Sequence, residues 1–340
     1  MTEGNWRRRD LDRGKTLGVL LVVLGHIVAR QDPAGSGWGA AWYEPLRAAL
    51  YSFHIPFLFY LSGYAAAWCG AALAEGLSYR HLLGRRARRW LLPALAFGLA
   101  VTCGKALLAS HMPVDHAPQT VGAGLAALVW DTDQSPAQSV WYLIVLFAYA
   151  AVVPPLRRAM GGRILPLLIL ALVLMPLPIP PVFYADRFLL NLPFYLAGLL
   201  AADADRGWCR FLDRARPALL LLFATTLPFL MLHAATMPRP WALLAGSLVA
   251  IPALHALVRR LWLPLLDLLD RLAPFAFAIY LANTIFIGLA KAALLQLLPW
   301  TAAAFPVFAP VLVAAGVLGP MTAQKLCQDL HLVPAPQRRA

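Results

Sequence analysis

Three features of the sequence predict an all-α, polytopic membrane protein with about ten transmembrane helices: apolar composition, recurring long apolar runs, and one-sided positive charge. Of the 340 residues, 61% are hydrophobic and 13% charged, too apolar and charge-poor for an ordinary soluble domain. Runs of roughly 17 to 25 mainly apolar residues recur between short basic or Pro/Gly-rich breaks, each long enough to cross a hydrocarbon core about 30 Å thick. A membrane β-barrel would show short alternating segments instead of continuous runs such as that from Ala218 to Leu232.

The expected spans are residues 16–30, 46–68, 90–110, 140–156, 163–179, 187–203, 217–235, 240–258, 274–297 and 303–325. The first follows a basic N-terminus and looks like a signal peptide. It runs on into Arg30, Gln31 and Asp32 without a convincing small-residue cleavage site, so it reads as a retained helix. No stretch remains for a soluble domain, and residues 1–340 read as a single integral-membrane domain with short tails at 1–15 and 326–340.

Lys and Arg in alternate connections set the orientation, because cytoplasmic loops retain positive charge. Twenty-three of the 29 fall on one side, in the N-terminus, the even-numbered loops and the C-terminal tail. The other side has Arg30, Arg47, Arg187 and Arg239, with Lys105 and Lys291 inside spans near that end. Both termini are therefore expected in the cytoplasm, and the protein in the bacterial inner membrane. The net charge of +13 then faces anionic lipid headgroups, and nucleic acid need not be invoked. With Cys103 inside a span and Cys69, Cys209 and Cys327 at cytoplasmic helix ends, a structural disulfide is not expected.

Ionisable residues inside a membrane default to functional hypotheses. In the first helix, Lys15 lies about 20° from His26 on a helical wheel and Asp12 about 40° off on the other side, provided the helix starts early enough to include it. His26 sits roughly 16 Å along the axis from Lys15, so the imidazole is in the bilayer and the ammonium at its cytoplasmic edge. A neutral imidazole there could take a proton from a hydroxyl attacking a thioester; the plainer reading is a core histidine satisfied by a neighbouring carbonyl. His54 lies at a similar depth in the second span, followed by Pro56, which can kink the helix, and by Ser62, Gly63 and Tyr64. Those last three equally suit close helix packing around Gly63.

Five arginines between Arg80 and Arg89 mark the cytoplasmic mouth of the third span. Most read as ordinary topological charge, but Arg88 and Arg89 stand where a phosphate-rich donor from the cytosol would meet the membrane. Trp141 and Tyr142 could stack on a sugar ring or simply anchor the interface. His111, Asp115 and His116 in an outer loop lack further ligands, and no metal is expected.

The sequence resembles the acyltransferase-3 family of integral-membrane acyltransferases, especially members that O-acetylate exported saccharides. The resemblance is carried over most of the chain by LDRGKTLGVLLVVLGH (11–26), FHIPFLFYLSGY (53–64), RRWLLP ending at Pro93, WYLIVLF from Trp141, FYLAGLL from Phe194 and AIYLANTIF from Ala278. The family's basic residue, ten intervening residues and histidine fall on Lys15 and His26. This implies His26 as catalytic base and Lys15 as a donor-side or structural cation. The chain departs from the family pattern in having Lys15 where many members have arginine, Thr16 where glycine is usual, and Asn283 where histidine is frequent.

The resemblance implies an acyl-CoA donor, most often acetyl-CoA as co-substrate with no bound cofactor, and a carbohydrate acceptor near the outer side. The expected activity is therefore transfer of an acetyl or other short acyl group to a hydroxyl of an exopolysaccharide, surface glycan or lipid-linked sugar. His26 would be the base and His54 would assist. Lys15, Arg88 and Arg89 would serve the donor, and Asp12, Tyr64, Trp141 and Asn283 the acceptor or the site's support. Membrane lipid and polysaccharide synthesis or export machinery are the expected partners. The rivals are a transporter or flippase without acyl chemistry, against which stands the confinement of every Asp and Glu to loops or their margins, and a catalytically silent scaffold.

Overall fold

The computed structural model describes residues 8–27, 43–74, 78–109, 114, 116–260, 263–301 and 303–330, with only the backbone course of 69–74. Every regular element among them is helical. Among the described residues, six helices are long and apolar enough to cross a membrane: Tyr79–Leu108, Trp141–Ala159, Asp205–His233, Arg239–Arg259, Leu263–Leu295 and Phe305–Asp329. Each overlaps one expected span, though Tyr79–Leu108, Asp205–His233 and Leu263–Leu295 begin well before it. Large apolar side chains stand exposed on these helices, among them Leu107, Leu232 and Leu248, each 73% exposed. Water is a poor solvent for such faces and lipid a good one. The chain is a multi-pass membrane protein. The other four expected spans fall on shorter, interrupted or more polar helices: α1 (Arg9–His26), α2 (Tyr43–Tyr51) with α3 (His54–Ala74), the ten-residue α8 (Leu165–Leu174), and α9 (Ala185–Asp203).

The chain divides into two compact units, one of residues 1–58 with 209–340 and the other of residues 59–208. In the first, α1 is the central helix and packs against α2, α11 (Arg239–Arg259), α12 (Leu263–Leu272), α13 (Ala276–Leu295) and α14 (Phe305–Asp329). Its buried face alternates small and β-branched residues, Gly14, Gly18, Val19, Val22, Val23 and Gly25. This lets neighbouring helices approach closely where lipid supplies no hydrophobic drive to association. A Cβ on Gly18 would come to 2.5 Å from the Leu58 side chain, and one on Gly25 to 3.0 Å from the Tyr51 ring.

At its start, α1 is tied down by charge. The Asp10 carboxylate accepts from Arg8 at 2.7 and 3.0 Å and from Arg259 at 3.2 Å, with His255 Nε2 at 3.5 Å. Arg259 also forks onto Asp213 at 2.9 and 3.0 Å, and Arg13 onto Asp270, at 2.6 and 2.8 Å. Burial by itself would raise the Asp10 carboxyl, but the His255 ring and the Arg8 guanidinium beside it hold it well below the usual carboxylate range. Charge counting alone assigned Arg13 and Arg259 to topology; each has a carboxylate partner.

The expected span 46–68 is not one continuous helix. It breaks at Ser52–Phe53, between α2 and α3, four residues ahead of Pro56. Proline has no N–H to donate and its ring crowds the carbonyl four residues back, which is that of Ser52. Ser247 Oγ donates to this carbonyl at 3.3 Å, so this buried acceptor is paired.

The second unit holds the rest of α3, then α4 (Tyr79–Arg86), a π-helical turn at Ala87–Leu91, α5 (Leu92–Leu108), α6 (Val121–Ala127), α7 (Trp141–Ala159), α8, α9 and the first residues of α10 (Asp205–His233). Its tightest joint is α3 against α9: a Cβ on Gly63 would land on the carbonyl oxygen of Tyr195, and one on Gly198 on that of Tyr60. Neither obstacle is a movable side chain. Gly63→Ala is expected to destabilise the protein by about 1–3 kcal/mol, read as a lower melting temperature in detergent; an unchanged melting temperature would refute this account of the joint.

Candidate active site

His26 is the last residue of α1 and is half-buried. Its Nδ1 lies 2.8 Å from Oδ1 of Asn283 on α13. The Asn283 amide nitrogen donates to two backbone carbonyls of its own helix, Ile279 and Tyr280, both at 2.8 Å. Turning the amide over would set its oxygen against two carbonyl oxygens, so the oxygen faces the histidine. An amide oxygen only accepts, so the proton between the two side chains resides on His26 Nδ1. The neutral ring therefore presents its lone pair at Nε2, the form a general base needs. Asn283 is fully buried, and its position on the face of α13 toward α1 makes the pairing possible.

His54 opens α3 and is 1% exposed. Its Nδ1 donates to the carbonyl of Leu50 at 2.6 Å, which also accepts from the Phe53 N–H at 3.1 Å at the end of α2. Again the second ring nitrogen is left as the acceptor. Tyr51 links the two histidines: its ring packs edge-on against His54 with centroids 4.8 Å apart, and its hydroxyl donates to the carbonyl of Gly25, the residue before His26, at 3.4 Å. The Arg47 guanidinium lies 5.1 Å from the centroid of the Tyr51 ring.

The early start of α1 at Arg9 places Asp12 and Lys15 on the same helix as His26. Both are half-buried and lie on the expected stripe, but about 21 and 16 Å along the axis from His26. They belong to the helix start, near Arg13 and Asp270, and not to the histidine pair.

The remaining candidates lie in the second unit. Tyr64 is fully buried and its hydroxyl donates to Asp205, while Ser62 Oγ and Tyr142 Oη are 2.8 Å apart; both join helices of that unit. Trp141, the first residue of α7, has the Arg187 guanidinium 5.2 Å from its ring centroid and Phe59 at 5.9 Å. Arg88 and Arg89 are both exposed on the π-helical turn. The sequence reading missed this turn, whose wider winding shifts the register between α4 and α5 and is frequent at functional sites. It also missed the Asp10–His255–Arg259 cluster, for which the only sequence signal was an acidic residue amid the N-terminal arginines. Among the described residues no group of three or more His, Cys, Asp or Glu is placed to hold a metal; His111 and Asp115 lie outside them.

The acyltransferase-3 family model, described as an acyltransferase domain, matches residues 8–323. The chain belongs to this family. It is also 34% identical over 91 residues to the nodulation protein NolL of Mesorhizobium japonicum, a match covering 27% of the chain and 23% of that protein. The chain thus spans about a quarter of the length of this curated relative. No solved structure matches it. The matched range takes in α1 with its histidine, the α2–α3 break and the α13 asparagine.

Replacing Asn283 by leucine keeps the bulk but removes the acceptor that fixes the imidazole. If His26 acts as a base through Nε2, Asn283→Leu lowers acyl turnover by about 10- to 100-fold with the fold intact, measured with labelled acyl-CoA; full activity in a folded variant would contradict the arrangement.

Proposed function

We propose that this protein is an O-acyltransferase of the bacterial inner membrane that moves an acetyl or other short acyl group from acyl-CoA to a hydroxyl of an exopolysaccharide, surface glycan or lipid-linked sugar. Family membership supports the acyl transfer. The observation that carries the assignment of the base is the Asn283 amide, held by two carbonyls with its oxygen toward His26.

In this reading His26 Nε2 takes the proton of the acceptor hydroxyl as its oxygen attacks the thioester carbonyl. The new C–O bond forms, the C–S bond breaks, and the departing CoA thiolate takes up the proton from His26. His54 is the second proton acceptor, coupled through Tyr51. Lys15 attracts the CoA phosphates at the helix start, and Arg88 and Arg89 are the residues proposed to meet the donor as it arrives from the cytosol. The thioester, at the end of a flexible pantetheine arm, then covers the roughly 16 Å to His26. Asp12 supports the start of α1, the helix that ends at His26, and Tyr64 and Trp141 are the residues proposed to serve the acceptor. The charge asymmetry supports about ten spans with both termini in the cytoplasm, so that donor and acceptor enter from opposite faces. Polysaccharide synthesis or export machinery would supply the acceptor.

Incubation of the purified protein with labelled acetyl-CoA and a candidate glycan tests the chemistry. His26→Ala should cut label transfer by about 10²–10⁴-fold; undiminished transfer would overturn the assignment, and a wild type that moves glycan across vesicles while label stays on CoA would make it a transporter. For topology, Asp131→Cys and Arg158→Cys should react with impermeant thiol reagents from opposite sides, and labelling from one side only would overturn the helix count.

A further inference from the structure

Beside the histidine pair lies a cavity of about 370 Å³ lined by Leu24, Ile27, Tyr43, Leu46, Leu50 and Phe305, among others, and apolar throughout. Its volume falls in the range of small-ligand sites, about 300–1,000 Å³. Two of its walls are the immediate surroundings of the proposed base: Ile27 follows His26, and Leu50 is the residue whose carbonyl holds His54. Tyr43 braces it, its hydroxyl donating to the Leu24 carbonyl at 3.0 Å and its ring edge-on to Phe305 at 5.2 Å. Leu24 is exposed at the protein surface.

The helix that forms this wall also carries a cation. At about 100° per residue, Arg47 lies about 40° round α2 from Tyr43, on the side of Tyr51, and Tyr51 about 40° further. Arg47 thus stands on the boundary between the apolar cavity and the Tyr51–His54–His26 group. Its Nη1 meets the carboxylate of Glu44 at 3.1 Å, a pair whose acid is 55% exposed. Its Nε is buried with no hydrogen-bond partner among the described residues. A buried donor of a charged group costs stability when unmade, and such donors normally have a partner. An oxyanion would be a strong one, since guanidinium recognises phosphate through paired N–H groups.

We infer that this cavity and Arg47 together form a site for an anionic lipid carrier of the acceptor sugar, with the hydrocarbon chain lying among Leu24, Ile27, Leu46, Leu50 and Phe305 and the lipid phosphate on Arg47. The inference rests on the acyl-transfer reading and narrows its acceptor to a saccharide joined through phosphate to a membrane lipid. A free polysaccharide has no use for the apolar wall, and an uncharged lipid none for the buried Nε. The arrangement would hold the first sugar of such a carrier beside His26, because the phosphate and the sugar it bears are adjacent in the molecule as Arg47 and His26 are in the fold.

The test uses the full chain in detergent with farnesyl phosphate as probe, and farnesol and inorganic phosphate as comparators. Farnesyl phosphate should bind at least about tenfold more tightly than either, since only it offers both halves of the site. Arg47→Gln should bring farnesyl phosphate down to the level of farnesol. Filling the cavity with Leu46→Trp, or more mildly with Ala309→Leu should the larger change impair folding, should weaken both lipids. Equal binding of farnesyl phosphate and farnesol by the wild type, or unchanged binding in Arg47→Gln, would overturn the inference. Acyl transfer from labelled acetyl-CoA, compared between wild type and His26→Ala, separates the two readings. Loss of phosphate preference with His26-dependent transfer intact sinks the lipid site alone. Phosphate-dependent lipid binding with transfer independent of His26 sinks the catalytic reading and leaves the lipid site standing.

Discussion

The side-chain amide of Asn283 can face only one way without opposing oxygens, and that constraint propagates to the chemistry. Two carbonyls of α13 take its N–H groups, its oxygen turns to α1, and His26 must then carry its proton on Nδ1. A histidine loose at a helix end would divide its proton between the two nitrogens and its ring among rotamers. Here the tautomer is selected before any substrate arrives. An asparagine does this without bringing a negative charge into the membrane, where a carboxylate would be costly. The same neutrality means that it orients the ring but offers little electrostatic support to an imidazolium.

The surrounding helices serve that contact. For Asn283 to reach the end of α1, α13 and α1 must pack closely, and the small residues of α1 permit it. The ionic cluster at the start of the helix fixes its height: Asp10 is held by Arg8, Arg259 and His255, and Arg13 by Asp270. Buried ion pairs are weak sources of net stability but strong sources of register, because a shift leaves a charge uncompensated. A helix pinned at its N-terminal end and packed through glycines carries His26 to a defined place at the other end. The α2–α3 break has a comparable effect on His54, since at the end of α2 the Leu50 carbonyl accepts from both the Phe53 N–H and the imidazole.

Much of this was legible in the sequence. The length of continuous apolar runs located the six long helices, because a hydrocarbon core about 30 Å thick leaves little freedom in the length of a spanning run. The wheel of α1 put Asp12, Lys15 and His26 on one stripe, and the helix does begin early enough to include all three. Asn283 was singled out only as a departure from a motif. Its pairing with His26 is a contact over 257 residues, which no local pattern encodes. Arg13 and Arg259 read as loop charge for the same reason: their carboxylate partners, Asp270 and Asp213, are far away in sequence. Pro56 signalled a disturbance in the second span, but the break fell four residues earlier, because proline disrupts the carbonyl behind it. Gly63 was balanced between packing and function, and the Tyr195 carbonyl against it settles the packing role.

The most direct measurement is the protonation pattern of the His26 ring, read by ¹⁵N NMR on protein labelled at histidine, with the signal assigned by its loss in His26→Ala. The account predicts a proton on Nδ1 and a bare Nε2 at neutral pH, with that pattern lost when Asn283 is replaced by leucine. A proton found on Nε2 in the wild type, or a pattern indifferent to Asn283, would contradict it.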